Sequence, residues 1–306
     1  MIDRQNLMLR HEGGALCLRD GQGAVQRIPL GQMDRLVVEN EALISANLIR
    51  QLAGNGIPLL VARGRSRSSA AILAPAGGDA ARRLRQMRAW LDPDLRLHFA
   101  RLVVRSRIAG QISALRAWAN MVPVHRYPLS RTMRALRKLS QRQHARSGIA
   151  TLRGMEGVAS RMYFAAMRLL LPKALDFPGR RRRPPTDPVN ASLSLGFTLL
   201  HGRILEVVHR AGLDPSIGAL HELAYGRPSL VCDLVESERA QIERWVVRAF
   251  RQQTLQASHF SRTASGVILR KEGRGPFFAT IEPLLCRCAR RSARRVQQLI
   301  QNLPEL

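Results

Sequence analysis

His221, Asp233 and Glu236 fall within one short stretch, HELAYGRPSLVCDLVE (221–236). An imidazole and two carboxylates are donors that suit a divalent cation. The Gly226-Arg227-Pro228 turn between them would let the loop fold the imidazole back towards the acids. A helix beginning near Leu234 would put Asp233 and Glu236, three apart, on one side. Glu156 is a further acid, set between Gly154 and Gly157 in GMEGVASRMYF, at the start of a strongly apolar helical run. Spacing alone leaves two readings open. The acids could hold a metal, or they could be ordinary solvated and capping groups, since a carboxylate at a helix start is favoured by the helix dipole.

The elements that would carry these residues divide the chain in two. At 306 residues it is long enough for about two domains. From Asn6 to Val38 short apolar pieces (NLML, ALCL, AVQRIPL, MDRLVV) are broken by Gly-containing turns, the pattern of antiparallel strands. ALISANLIRQLAGNG reads as a helix capped by Ser45 and ended by Gly54 or Gly56, and IPLLVA and AAILAP read as further strands on either side of RGRSRSS. APAGG (74–78) breaks the strand pattern. The sequence therefore predicts an α+β chain: residues 1–76 form a small, mostly β, sandwich-like domain with one helix, and residues 77–306 a larger all-α domain.

The helices of that second part are expected over 80–91, 94–118, 129–146, the run after Glu156, a long helix capped by Asn190, SERAQIERWVVRAFRQQ, and a last helix LLCRCARRSARRVQQLIQNL preceded by a short hairpin. His201 and His209 read as packing or surface residues. The charge is the unusual quantity. Against 22 acids stand 49 Lys and Arg, nearly all Arg, for a net charge of +27. Residues 1–80 hold nine arginines and seven acids, so the surplus is +2 there and +25 beyond. Arginine is the side chain best suited to bidentate phosphate contact, so a polyanion facing the second part is implied. Arg82, Arg83, Arg85, Arg88, Arg96, Arg101, Arg105 and Arg107 taken together suggest a phosphate-facing surface. Arg180, Arg181, Arg182 and Arg183, bounded by prolines, belong on a loop.

Cys17, Cys232, Cys286 and Cys288 are too scattered for a disulfide framework and read as reduced thiols. No run of some 18 apolar residues and no signal-peptide core appears, so a cytoplasmic protein with no membrane partner is expected.

Three motifs, GMEG followed by Ser-Arg-Met-Tyr-Phe, GRRRRPPTDPVNASLSLGFTLLHG, and LHELAYGRPSLVCDLVE, in this order, closely resemble the CRISPR-associated integrase family Cas one. The resemblance covers essentially the whole chain. It implies metal ligation by Glu156, His221 and Glu236, with Asp233 as a further contributor or as a supporting acid behind them. Some family members have Asp where this chain has Glu236, which keeps the carboxylate on a longer arm. The resemblance implies Mg²⁺ or Mn²⁺, the imidazole making Mn²⁺ the easier occupant. It also implies insertion of spacer DNA into a CRISPR array by attack of a 3′-hydroxyl on a repeat phosphodiester. Arg180 to Arg183 and Arg227 are the expected phosphate contacts. A homodimer through the β domain, assembled with the small partner Cas two, is implied as well. The alternatives are a stand-alone nuclease on branched DNA, using the same residues, and an inert DNA-binding scaffold.

Overall fold

The computed structural model describes residues 7–21, 23, 25–33, 35–38, 41–61, 71–73, 80–142, 148–181, 184–264 and 266–305. They belong to two compact units, Met1–Gly78 and Asp79–Leu306. The RGRSRSS segment lies outside the described residues, as do Arg182 and Arg183.

In the first unit, β1 (Leu7–Glu12) and β2 (Ala15–Arg19) form a hairpin. Its two turn residues, Gly13 and Gly14, sit at φ +57 and +77, a conformation that glycine adopts without steric cost and that matches the twist of the flanking strands. β3 (Val25–Pro29) continues the meander. The expectation of purely antiparallel pairing fails beyond this point. β5 (Ala42–Ile44) lies parallel to β1, and β6 (Leu59–Val61) lies parallel to β4 (Leu36–Val38). Three-residue strands carry no signal of pairing direction, and β5 was hidden within the expected helix. α1 (Ala46–Gly54) starts where Ser45 Oγ accepts the Leu48 amide at 3.2 Å. β7 (Ala71–Leu73) pairs antiparallel with β6. The two sheets, β3-β2-β1-β5 and β4-β6-β7, share with α1 one core that includes Leu9, Leu16, Leu36, Leu48, Leu52 and Leu59.

The second unit contains α2 (Ala80–Leu91), α3 (Pro93–Met121), α4 (Arg126–Gln141), α5 (Ile149–Arg168), α6 (Pro188–Arg210), α7 (Ser229–Arg251) and α8 (Lys271–Gln301). Among the described residues its regular structure is helical apart from the hairpin β8 (Phe260–Thr263) and β9 (Gly266–Leu269), so the expected all-α domain carries one small sheet. α3 packs on α4, α5 and α7, while α6 packs on α7 and α8. α6 is the one described helix long and apolar enough to cross a bilayer. Here it is a core helix, with Asn190, Ser192, Arg203 and Glu206 buried along it.

Several expected boundaries move, among them that of α7, which starts at Ser229 rather than near Leu234. α6 is capped by Asp187, which accepts the Asn190 amide at 2.8 Å, with Pro188 at the first helical position. The Asn190 side chain instead holds the preceding loop, donating to Gly179 O and accepting from the Arg181 amide. α8 starts at Lys271 and runs through Pro276 and Pro283, so the expected last helix is only its second half. α5 starts at Ile149, which places Glu156 about two turns inside it rather than at its beginning. The helix dipole therefore gives no reason for an acid there.

α3 and α7 are joined by a buried ion pair. Both terminal nitrogens of Arg107 donate to Glu243, at 2.9 and 2.8 Å, and both side chains are sealed from solvent. Removing one partner strands the other charge in the core. Arg107→Met is expected to cost about 3–5 kcal/mol in urea unfolding; a loss within the error of the measurement would show that the pair carries no such weight.

Candidate active site

The site is built on the loop between α6 and α7. This loop approaches the start of α7 so closely that a Cβ on Gly218 would fall 2.5 Å from the Ser229 carbonyl carbon. Backbone contact of that kind admits only glycine. Beyond Gly218 the chain is gripped from both sides. The amides of Ala219, Leu220 and His221 donate to the Asp233 carboxylate at 2.6, 3.0 and 3.1 Å. The carbonyls of Ala219 and Leu220 accept from Arg96 and Arg153 at 3.2 and 2.9 Å. Arg153 also pairs with Glu222 at 2.6 Å. Arg227 and Ser229 both donate to the Glu222 carbonyl, closing the turn.

Asp233 has a fourth partner, the His221 ring, whose Nδ1 stands 2.6 Å from its Oδ1. A carboxylate can only accept, so Nδ1 carries a proton, and in the neutral ring Nε2 is then the lone-pair donor. The structure thus gives Asp233 to the loop and to the imidazole. It places Asp233 behind His221 rather than among the groups lining the cavity in front.

Glu236 follows one helical turn after Asp233 and is 6% exposed. Its Oε1 accepts from Arg239 Nη1 at 2.7 Å. Its Oε2 lies 3.5 Å from Arg107 Nε, is buried, and has no hydrogen-bond partner. Burial works against this carboxylate's charge, but the Arg239 and Arg107 guanidiniums outweigh it and hold Glu236 below the usual glutamate range. Glu156 Oε1 accepts from Ser160 Oγ at 2.7 Å, and Ser160 in turn accepts from buried Gln111 at 3.2 Å.

Glu156, distant in the sequence, lines one cavity of about 600 Å³ together with His221 and Glu236. A larger cavity of about 1230 Å³ shares Glu156, Arg180 and Arg239 with it. Among the described residues no three His, Cys, Asp or Glu side chains stand close enough, as placed, to grip one ion. The donor chemistry nevertheless fits a divalent cation. Two carboxylates and an imidazole oriented by a carboxylate behind it line one space.

The arginines divide by partner. Arg180 lines both cavities and is held by Asn190 and Ser194 at 2.9 and 3.2 Å. Arg181 is placed by its backbone bond to Asn190. Arg227 braces the loop instead of facing the cavity. Several arginines of α2 and α3 have partners within the fold: Arg82, Arg85 and Arg88 donate to backbone carbonyls at Ala211, Leu303 and Glu305, and Arg107 is buried and so takes no part in the expected phosphate-facing surface. The four cysteines are free thiols. Arg239, Arg153, Ser160 and Phe197 escaped the sequence reading, although Arg239 and Arg153 lie three residues from Glu236 and Glu156, on the same helix faces.

Residues 1–282 match the model of the family described as CRISPR associated protein Cas1. The CRISPR-associated endonuclease Cas1 1 of Thermodesulfovibrio yellowstonii is 32% identical over 284 residues, 92% of this chain and 89% of that protein. Among solved structures, a Cas1 protein from Thermotoga maritima superposes with TM-score 0.84 at 21% identity, covering 99% of this chain and 96% of that one. A casposase bound to integration product gives 0.80 at 17%, over 99% and 90%. A chain of a Cas6-RT-Cas1–Cas2 complex gives 0.81 at 23%, over 98% of this chain and 34% of that one. The structural likenesses show a shared α+β fold, and the sequence matches go further. This chain belongs to the Cas1 family of CRISPR-associated proteins.

His201, taken from the sequence as a packing or surface residue, lines the smaller cavity, and burial pushes its pKa below the ordinary 6.5. A histidine kept neutral in the fold contributes stability above that value. The contribution is lost as pH falls, because the unfolded chain takes up the proton first. His209, lowered by burial and by Arg83, adds to the same slope. The urea midpoint of His201→Gln is therefore expected to fall less than that of the wild type between about pH 7.5 and about pH 5.5. Equal falls would contradict this.

Proposed function

We propose that the chain is a divalent-metal-dependent DNA endonuclease and integrase, which joins new spacer DNA to a CRISPR repeat by transesterification. The observation that carries this reading is the convergence of Glu156, His221 and Glu236 on one cavity that Arg180 and Arg239 also line. The net charge of +27 supports DNA as substrate. The similar proteins support the reaction, one being a CRISPR-associated endonuclease and another a casposase bound to integration product. The Cas1–Cas2 complex among the neighbours supports Cas2 as partner. Self-association through the nearly neutral β unit is part of the same proposal.

Glu156, the Nε2 of His221 and Glu236 would hold Mg²⁺ or Mn²⁺. Bound there, the ion supplies Lewis-acid stabilisation of a phosphodiester and of the attacking and leaving oxygens. The chain's own groups do the rest. Asp233 fixes the tautomer and direction of His221, Ser160 and Gln111 orient Glu156, and Arg180 and Arg239 face the non-bridging phosphate oxygens, where charge develops. The incoming 3′-hydroxyl forms the new bond to phosphorus as the repeat strand's 3′-oxygen leaves, so one phosphodiester replaces another without an external energy source.

The test is strand transfer of a labelled duplex with free 3′-hydroxyls into supercoiled plasmid, in Mn²⁺ or in EDTA. Joined product should form only with metal and fall about 10²–10³-fold in His221→Ala, as expected on loss of a group that stabilises a transition state. Joining unchanged by the mutation would reject the site. Nicking without joining would favour a structure-specific nuclease, and binding without chemistry a scaffold.

A further inference from the structure

Glu236 is held by two arginines of different kinds. Arg107 is 1% exposed and locked by both terminal nitrogens to Glu243. Arg239 makes a single hydrogen bond to Glu236, its Nε is buried without a partner, and it lines both cavities. Its guanidinium lies over the Phe197 ring at 4.4 Å from the centroid, and Arg180 lies against the same ring at 5.6 Å. One arginine is therefore a fixture of the core. The other rests on an aromatic platform between a carboxylate and open space.

We propose that Arg239 is an exchangeable partner of Glu236: it holds the carboxylate while no metal is bound, and turns over the Phe197 ring to a DNA phosphate once a divalent cation takes Glu236. This rests on Glu156, His221 and Glu236 being the metal site. The physical reason is that Glu236 Oε1 cannot serve a guanidinium and an incoming dication equally well, since like charges crowd on one buried acceptor. The freed guanidinium has a face to lean on and a planar fork suited to phosphate. Metal occupancy and phosphate affinity are then coupled, each strengthening the other.

The experiment uses the full chain. Mn²⁺ binding is titrated without DNA by the electron paramagnetic resonance of the free ion. Binding of a duplex with blocked 3′ ends is then followed by anisotropy, with and without Mn²⁺. Arg239→Gln should bind Mn²⁺ about fivefold or more tightly than wild type, the competitor having gone, and its DNA affinity should no longer rise with Mn²⁺. Equal or weaker Mn²⁺ binding would overturn the proposal, leaving Arg239 as a group that merely positions Glu236. Phe197→Leu keeps the Glu236 pair. It should bind Mn²⁺ as wild type does and lose most of the metal-dependent gain in DNA affinity, and this variant decides the matter if Arg239→Gln does not fold. The underlying site is checked separately, since it fails if His221→Ala retains wild-type Mn²⁺ binding.

Discussion

The Asp233 carboxylate is the point on which the catalytic unit turns. It is 2% exposed and takes four hydrogen bonds, three from successive amides and one from an imidazole. A buried carboxylate is tolerated only when donors surround it, and these donors come from a loop rather than from regular structure. The loop must therefore lie against α7 in one register, and Gly218 exists to let it come that close. Arg96 and Arg153, reaching the outward carbonyls from α3 and α5, hold the same peptide units from the other side. A loop position gains the precision of a helix in this way. The imidazole direction that results is a consequence of backbone hydrogen bonding.

The charge of the chain works at two scales. The large surplus of arginine makes the protein attractive to a polyanion, yet a good part of the arginine inventory acts inside the fold. Arg107 ties α3 to α7 through Glu243, and Arg291 and Arg295 tie α8 to α7 through Glu238, which is 1% exposed. These pairs fix the crossing of α7, which carries Asp233 and Glu236, with α3 and α8. Composition announces a nucleic-acid protein, but it does not say which guanidiniums face the nucleic acid.

Much of this was legible in the sequence and some could not have been. The hairpin glycines, the Ser45 cap and the helical periodicity of the second part are local signals, and they appear as read. The convergence of His221 with Glu236 was implied by a turn between them and a three-residue spacing. Glu156 was singled out by its flanking glycines and the apolar run after it, and motif likeness made it a ligand; the helix start that seemed to explain an acid there lies at Ile149. Asn190 was a plausible cap, but Asp187 had the same chemistry with a proline after it. Parallel pairing of β1 with β5 and of β4 with β6 is set by long-range packing and leaves no trace in three-residue strands. Arg107 was one of eight similar arginines, and only burial against Glu243 distinguishes it.

The most direct test of this account is the Mn²⁺ affinity of Asp233→Asn. The substitution keeps the shape of the side chain but replaces an acceptor with a donor against amides and a ring N–H that can only donate. If Asp233 sets the direction and tautomer of His221, the affinity should fall by about 10–100-fold, the usual cost of losing a carboxylate behind a metal-binding histidine. Affinity equal to that of the wild type, in a variant that remains folded, would contradict the claim that this one carboxylate organises the site.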